Sequence, residues 1–212
     1  MAKLRVHQFS ISLDGFGTGE GLTDEEPFGH AGERLHEWMF AAIDGKPAAA
    51  PIDADLVARH WDGIGAEIMG RGKFGPQSGP WTDLGTDDEW RGWWGPTPPF
   101  HTPVFVLTHH PRPSIDMDGG TVFHFVDARP QEALELAREA AGDLDVRIGG
   151  GATIIRDLLA ANLIDTMHVA QVPILLGRGV RLWDGLEGVE DRYDIEAVSS
   201  PSGVTHLTFT RR

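Results

Sequence analysis

Hydrophobic and polar positions along the chain follow strand-like and helix-like spacings in turn. Short runs of β-branched and aromatic residues predict strands at residues 4–12, 66–69, 104–108, 122–126, 146–148 and 167–172. Apolar residues at helical spacing predict helices at 31–43, 130–141 and 152–161, and a weaker helix at about 53–62. The last two strand-like runs, 192–198 and 204–210, predict a closing antiparallel pair.

Strands alternate with helices between residues 100 and 172, which is the order expected of parallel βαβ units. The strand-rich tail predicts an antiparallel edge on the same sheet. No linker rich in Pro, Gly and Ser divides the chain. We therefore predict that residues 1–212 form a single α/β domain with a mixed, mostly parallel sheet.

Two segments lack a regular pattern. Residues 16–30 are rich in glycine and acidic residues and predict a long mobile loop, a kind of segment that often carries function. Residues 75–103, the Trp-rich segment, hold four of the seven tryptophans among Gly, Pro and acidic residues. We interpret this segment as a surface excursion anchored by its aromatic side chains, or else as the wall of a ligand pocket or a subunit contact.

Charge and composition argue against several classes of function. The net charge of −14 over 212 residues argues against nucleic acid or an anionic membrane as the main partner, because both need a basic surface. The chain has no cysteine, which excludes disulfides, thiolate metal sites and cysteine nucleophiles. No apolar signal core follows Met1 and no apolar run is long enough for a bilayer, so we expect a soluble cytoplasmic protein.

The strongest chemical signal is the run Gly149-Gly150-Gly151 between a predicted strand and a predicted helix. Glycine permits close backbone approach, and the free N–H groups at a helix start attract anions such as a pyrophosphate. The Thr153 hydroxyl adds a further donor. The spacing matches neither GxGxxG nor the P-loop pattern, so a plain glycine-rich connection is the alternative.

Other polar residues follow two further predicted strands. Gly70, Arg71 and Lys73 follow one, and Thr108 and His109 follow the next. Arg and Lys bind phosphate, and ligands of open α/β sheets bind beyond the carboxyl ends of parallel strands. A solvated basic turn and a capped strand end are the alternatives. Because three such ends carry donors in an acidic chain, we favour a phosphate-rich ligand.

Carboxylates able to act on a ligand occur at two places. Ser12, Asp14 and Gly15 form a turn after the first strand, where Asp14 or Ser12 could lie beside the reactive part of a ligand. Asp-Gly is also an ordinary turn signal. Glu37 lies on the first predicted helix, where it either enters a cleft or is a solvated charge.

The histidines do not form a metal motif. His101, His109, His110 and His124 belong to separate predicted elements, and no HExxH spacing occurs, so we expect no metal site. The G-x-S-x-G elbow of serine hydrolases is also missing.

Taken together, four motifs resemble a known family. They are SLDGFG after the first strand, IMGRGKFG, VFVLTHHPR, and the continuous block IGGGATIIRDLLAANLIDTMHVAQVPILLGRGVRLW. Their order and spacing resemble the dihydrofolate-reductase-like superfamily, and most closely its stand-alone proteins similar to the reductase domain of bacterial riboflavin biosynthesis. The resemblance covers nearly the whole chain.

The resemblance implies a mixed sheet of about eight strands flanked by helices, a homodimer, and NADPH as cofactor. It places Gly149–Gly151, Thr153 and Ile154 at the pyrophosphate, Gly70, Arg71, Thr108 and His109 around the adenosine 2′-phosphate, and Ser12, Asp14 and Gly15 beside nicotinamide and substrate. Lys73 stands where the family has Thr, and we expect it to replace that hydroxyl contact. We expect no zinc deaminase domain of the kind often fused to the riboflavin reductase, because the sequence has no cysteine, and the Trp-rich segment is longer than in dihydrofolate reductases.

Two functions from different classes follow. The first is an NADPH-dependent reductase that delivers hydride to a pterin-like or aminopyrimidine-type heterocycle, with Asp14 or a water it positions as proton donor and Glu37 in reserve. The second is a non-catalytic nucleotide- or flavin-binding protein on the same scaffold. The reductase hypothesis requires that residues 149–151 stay open to a ligand and that Arg71 lies near them.

Overall fold

The computed structural model describes residues 2–46, 50–81 and 90–212. The strands are β1 (Leu4–Ser12), β2 (Phe16–Thr18), β3 (Ile64–Gly70), β4 (Pro103–Leu107), β5 (Ile115–Asp116), β6 (Val122–Val126), β7 (Asp145–Gly150), β8 (Thr166–Val172), β9 (Val180–Arg181), β10 (Tyr193–Ser199) and β11 (Thr205–Arg211). The helices are α1 (Glu37–Ile43), α2 (Pro51–Ala58), α3 (Arg71–Phe74), α4 (Pro130–Ala141) and α5 (Ala152–Ala160). Short 3₁₀ segments occupy Gly29–Leu35, Asp118–Gly120 and Val189–Arg192. None of these described helices combines the length and the apolar character that a bilayer crossing requires.

Nine strands form one sheet in the order β10-β11-β8-β1-β7-β3-β4-β6-β5. Neighbours from β8 to β6 pair in parallel, whereas the outer pairs β8–β11, β10–β11 and β5–β6 are antiparallel. The predicted mixed, mostly parallel sheet with helices around it is therefore confirmed, with one strand more than expected. The short strands β2 and β9 pair separately, after the β1 turn.

One face of the sheet is apolar. Alternation along the strands places Ala66 and Ile68 of β3, and Val146 and Ile148 of β7, on this face, where they pack with α4 and α5. Burial of this surface is the main stabilising contribution to the fold.

The opposite face carries a polar strip between two apolar clusters. Glu67, Arg147 and His168, on β3, β7 and β8, are buried with exposed fractions of 0%, 2% and 4%. An apolar cluster that contains Trp38 and Val172 lies on the β8 side, and one built on Phe74 and Phe123 lies on the β4 side. Buried charges require partners, so this strip constrains which groups meet across the sheet.

Several boundaries differ from the predicted ones. The helix predicted at 31–43 is divided into a 3₁₀ segment and α1, and no side chain caps the start of either piece. The predicted loop at 16–30 contains β2, which forms because β9 supplies a pairing partner from a distant part of the chain. The strand predicted at 146–148 extends to Gly150 and so includes two residues of the glycine run.

The described part of the Trp-rich segment packs against the Phe74 cluster; residues 82–89 lie outside the described residues. Trp90 Nε1 donates a hydrogen bond of 2.9 Å to the Phe74 carbonyl, and the Trp94 ring stacks on Phe123 at 6.0 Å. Trp81 contacts Phe74 edge to face. These contacts anchor the described part of the segment to the Phe74 cluster through aromatic side chains.

Candidate functional site

The predicted donors lie at one edge of the sheet. In the strand order, β1, β7, β3 and β4 are consecutive and parallel. Their carboxyl ends therefore bring the Ser12 turn, the glycine run, Arg71 and Thr108 to the same side of the molecule. This edge is where open α/β sheets bind ligands.

Arg71 and Thr108 lie together, and Arg71 keeps hydrogen-bond donors that have no partner. Arg71 Nη1 lies 3.4 Å from Thr108 Oγ1, and the guanidinium carbon lies 3.7 Å from the centroid of the Trp81 ring. The Nε and Nη2 atoms of Arg71 are buried with no hydrogen-bond partner. Burial lowers the pKa of Arg71, but a guanidinium stays charged at neutral pH. Two unused charged donors in one plane suit a phosphate group.

His109 follows Thr108 but is directed to solvent. Its side chain is 94% exposed, and its Nδ1 lies 3.1 Å from Asp127 Oδ1. Thr108 is buried and accepts a hydrogen bond of 3.1 Å from the His110 N–H. Thr108 is thus held beside Arg71, whereas His109 stands at the rim of the site.

The glycine run ends β7 and opens α5. Gly150 and Gly151 adopt φ values of 142° and 102°, which side chains other than glycine rarely accept. A Cβ placed on Gly151 would lie 3.8 Å from the backbone N of Gly70, so the ends of β7 and β3 approach closely here. Ile155 N donates to the Gly151 carbonyl at 3.2 Å, as the first bond of α5. The N–H groups just before it, including those of Thr153 and Ile154, have no partner within the helix.

Lys73 occupies a different place from the expected one beside the 2′-phosphate. Its Nζ donates to the Gly149 carbonyl and lies 3.2 Å from Glu67 Oε1. A Cβ on Gly149 would meet Glu67 Oε1 at 1.7 Å, and one on Gly150 would meet Lys73 Cδ at 3.1 Å. The first two glycines therefore accommodate Lys73 and Glu67, contrary to the expectation that residues 149–151 all stay open to a ligand. The backbone open to a phosphate is limited to Gly151 and the start of α5.

A buried charge network lies beneath the glycine run, and sequence reasoning missed it. Arg147 donates to Glu67 through Nε at 2.9 Å and through Nη2, and its guanidinium lies 3.9 Å from the Trp61 ring. Arg147 Nη1 contacts His60, whose pKa is lowered by burial and then by the Arg147 charge. Burial lowers the pKa of Lys73 to about 8, although Glu67 opposes the shift. The available signal was a charged residue in the middle of each of two neighbouring buried strands.

The turn after β1 is held by its own hydrogen bonds. Asp14 accepts from Ser12 Oγ at 2.6 Å, from Leu176 N at 3.1 Å and from Gly177 N at 2.7 Å. Desolvation opposes ionisation, but these three bonds outweigh it and lower the pKa of Asp14 to about 2. Gly15, with φ of 85°, completes the turn. An acid that is ionised throughout the neutral range is poorly suited to donate a proton, which argues against the role expected of Asp14.

The start of α1 presents His36 rather than Glu37 to the interior. Glu37 is exposed at the first position of α1. His36, the residue before it, packs against Phe28 with ring centroids 4.3 Å apart, and its Nδ1 is buried without a hydrogen-bond partner. Burial and then the charge of Lys73 lower the pKa of His36 to about 4. The sequence carried no signal for His36, because the influence of Lys73 on it arises only in the tertiary structure.

A separate cavity of about 480 Å³ opens near the amino ends of β1 and β8. Its lining includes Arg5, His7, Arg59 and His168. Arg5 pairs with Asp145, and Arg59 with Asp55. These cations are already neutralised, so the strand-end site remains the better candidate for an anionic ligand. Among the described residues, no group of three or more His, Asp or Glu side chains has the arrangement of a metal site.

Comparison with known proteins identifies the family of the chain. The model of the RibD C-terminal domain family matches residues 6–203. The comparison with curated proteins gave no match.

Solved structures share the fold at low sequence identity. A Shewanella protein named for riboflavin biosynthesis is 24% identical, with a TM-score of 0.59 over 100% of this chain and 99% of that chain. A Thermotoga maritima diaminohydroxyphosphoribosylaminopyrimidine deaminase/5-amino-6-(5-phosphoribosylamino)uracil reductase is 13% identical, with a TM-score of 0.56 over 100% of this chain and 57% of that chain. An Enterococcus faecalis dihydrofolate reductase complexed with NADP(H) is 15% identical, with a TM-score of 0.52 over 99% of this chain and 96% of that chain.

Proposed function

Because the chain belongs to the RibD C-terminal domain family, we propose that it is an NADPH-dependent reductase that transfers hydride to a pterin-like or aminopyrimidine-type heterocycle. The observation that carries this proposal is the Arg71 guanidinium, which holds two buried unused donors beside Thr108 at the carboxyl edge of the sheet. The neighbouring Gly151 backbone and the start of α5 supply the second group of donors that a dinucleotide phosphate requires.

The site residues divide among the parts of the cofactor. Arg71, Thr108 and the Gly70 backbone would hold the adenosine 2′-phosphate, with His109 at the rim. Gly151 and the first N–H groups of α5, including Thr153 and Ile154, would hold the pyrophosphate. The Ser12–Gly15 turn would flank the nicotinamide and the substrate. When bound, the cofactor supplies hydride, while the protein orients the reactants and excludes water.

The residues next to the substrate have distinct roles in this proposal. Asp14 and Ser12 stabilise the turn between β1 and the 174–177 backbone, so we assign them to positioning. Glu37 is exposed at the first position of α1, so we assign it no role in proton transfer. We also propose a cytoplasmic homodimer, which light scattering tests as twice the mass of one chain.

A non-catalytic nucleotide- or flavin-binding protein is the second candidate. The ionised Asp14 favours it, since retained phosphate donors without a competent acid fit binding without turnover. Steady oxidation of NADPH with a heterocyclic substrate excludes this candidate, and tight binding without oxidation supports it.

The experiment compares NADPH and NADH binding by quenching of tryptophan fluorescence. We expect wild type to bind NADPH more tightly than NADH. Arg71→Ala is expected to weaken NADPH binding about 10- to 100-fold, because a charge-assisted hydrogen bond contributes roughly 1.5–3 kcal/mol. The same variant should leave NADH binding unchanged.

The control variant is Arg212→Ala, which removes an exposed arginine paired with Asp194 at the far edge of the sheet. Its NADPH affinity should equal that of wild type. Equal affinities for the two cofactors, together with no effect of Arg71→Ala, would contradict the proposed 2′-phosphate site.

A further inference from the structure

Lys73 brings a cation to the glycine run of the proposed site. Its Nζ bonds the Gly149 carbonyl, two residues before the Gly151 backbone proposed to hold the pyrophosphate. The Phe100 ring centroid lies 5.7 Å from Nζ, and the side chain is 26% exposed. The ammonium is therefore ordered by protein contacts, yet a ligand can still reach the side chain.

Charged and titratable groups face Lys73 from four elements. They are Glu67 on β3, Arg147 on β7, His36 before α1 and His60 after α2. Glu67 contacts both cations, so its single negative charge is shared between Lys73 and Arg147. The Lys73 ammonium is thus stabilised by one shared carboxylate and destabilised by burial and by Arg147, which places its pKa at about 8.

We propose that Lys73 is the catalytic proton donor of the reductase, held in place by the Glu67 carboxylate and the Gly149 carbonyl. This inference rests on the proposed function and deepens it. Asp14 is held as a carboxylate by three hydrogen bonds, so the site needs another acid. Lys73 Nζ bonds the Gly149 carbonyl beside the proposed pyrophosphate donors, and its charge also acts on His36 at the start of α1, so the ammonium lies between the glycine run and α1.

For a C=N substrate, hydride transfer to carbon is coupled to proton transfer from Lys73 to nitrogen. Bound NADPH would supply a hydride, with its electron pair, to the carbon of this bond. The π electron pair of the C=N bond moves to nitrogen, which forms an N–H bond with a proton from Lys73 Nζ. The products would be the amine, the oxidised cofactor and a neutral lysine, whose side chain is 26% exposed and which regains a proton from solvent. A donor with a pKa near the working pH suits this transfer.

The alternative role of Lys73 is only to bind a phosphate of the cofactor. Lys73→Arg separates the two roles, because arginine keeps the positive charge but does not release a proton in the neutral range. A phosphate ligand tolerates this change, whereas a proton donor does not. Lys73→Met removes both functions, and Lys46→Met, at an exposed lysine paired with Asp44, is the matched control.

The experiment measures NADPH affinity and NADPH oxidation in the four proteins. The substrate probes are 5-amino-6-(5-phosphoribosylamino)uracil and 7,8-dihydrofolate, and melting temperatures verify that each variant folds. For the proton donor, Lys73→Arg and Lys73→Met keep NADPH affinity within about 3-fold of wild type but lose at least about 100-fold in turnover. Wild-type turnover falls above a pH of about 8, where the ammonium loses its proton.

A second readout needs no variant to be active. The chain has three lysines, Lys3, Lys46 and Lys73, so ¹³C-lysine NMR resolves the titration of each one. The Lys73 signal is assigned as the one that is missing from the spectrum of Lys73→Met. Full turnover by Lys73→Arg, a Lys73 titration near the ordinary lysine value, or NADPH binding by wild type without oxidation of either probe overturns the donor role. If wild type does not bind NADPH at all, the proposed function itself fails.

Discussion

His168 makes stability depend on pH through a chain of directed hydrogen bonds. The Gln8 N–H donates to His168 Nδ1 at 3.2 Å, so His168 Nε2 carries the proton and donates to His206 Nδ1 at 3.1 Å. His206 Nε2 in turn donates to Asp53 Oδ1 at 2.9 Å. Gln8 is available for this bond because the β1–β8 register shifts between Val6 and Phe9. A proton added to His168 Nδ1 would oppose the Gln8 N–H.

The size of the effect follows from the pKa difference. Burial, and then His7 and His206, lower the pKa of His168 from 6.5 to about 3. Because the folded pKa is the lower one, the unfolded chain binds the proton first. This contribution to stability is present above pH 6.5 and is lost as the pH falls towards 3. Between pH 7 and pH 5, the free energy of unfolding should fall by about 2 kcal/mol from this residue alone.

The assay is urea unfolding of wild type and His168→Phe at several pH values from 7 to 5. The variant loses two hydrogen bonds, so it should be less stable at pH 7 by roughly 1–3 kcal/mol. Its stability should then fall less steeply with acid, by about 2 kcal/mol over this range. His109→Gln, at a residue whose side chain is 94% exposed, serves as the control. Parallel pH curves for wild type and His168→Phe would refute the reasoning.

Two further variants test the site. Gly149→Ala should lose at least about 3 kcal/mol in urea unfolding, because its Cβ would meet Glu67 Oε1 at 1.7 Å; Gly72→Ala, with no atom near its Cβ, should change stability by less than about 0.5 kcal/mol. Native stability in the Gly149→Ala variant would contradict the placement of Glu67. Trp81→Leu removes the ring 3.7 Å from Arg71, and fluorescence titration should show NADPH affinity reduced about 3- to 10-fold with NADH affinity unchanged. An equal loss for both cofactors would show that the ring does not act through Arg71.

Most regular elements were predictable because they carry strong local patterns. Helix α4 begins at Pro130 and ends before Gly142, as its sequence signals indicate. Its apolar positions recur with helical spacing, and the four residues that it buries lie on one side. The closing pair β10 and β11 was equally clear, with each boundary within one residue of the predicted one.

Elements that depend on distant partners were not predictable. Strand β2 has three residues, and its partner β9 lies more than 150 positions further along the chain. Nothing within residues 16–18 distinguishes them from the surrounding glycine-rich loop. The division of the helix predicted at 31–43 was also not predictable, because the amphipathic pattern of the sequence continues through the residues that form the 3₁₀ segment.

The site was predictable as a set of strand ends but not as a set of contacts. Parallel βαβ order was enough to expect Gly70, Thr108 and Gly151 at one edge. The position of Lys73 was not, because a lysine side chain shortly after a strand can reach either the solvent or the neighbouring turn. The direction that the Lys73 side chain takes depends on Glu67, whose buried charge requires a cation.

The sequence by itself determined the local elements and the chemical types of residue that follow each strand, since hydrophobic spacing and turn residues act over a few positions. Only the tertiary structure decided the protonation states. Lys73 meets Gly149 across 76 positions, and Asp14 meets Leu176 across 162. A proton affinity depends on burial and on charges and donors within a few ångströms, and these neighbours come from distant parts of the chain that only folding brings together.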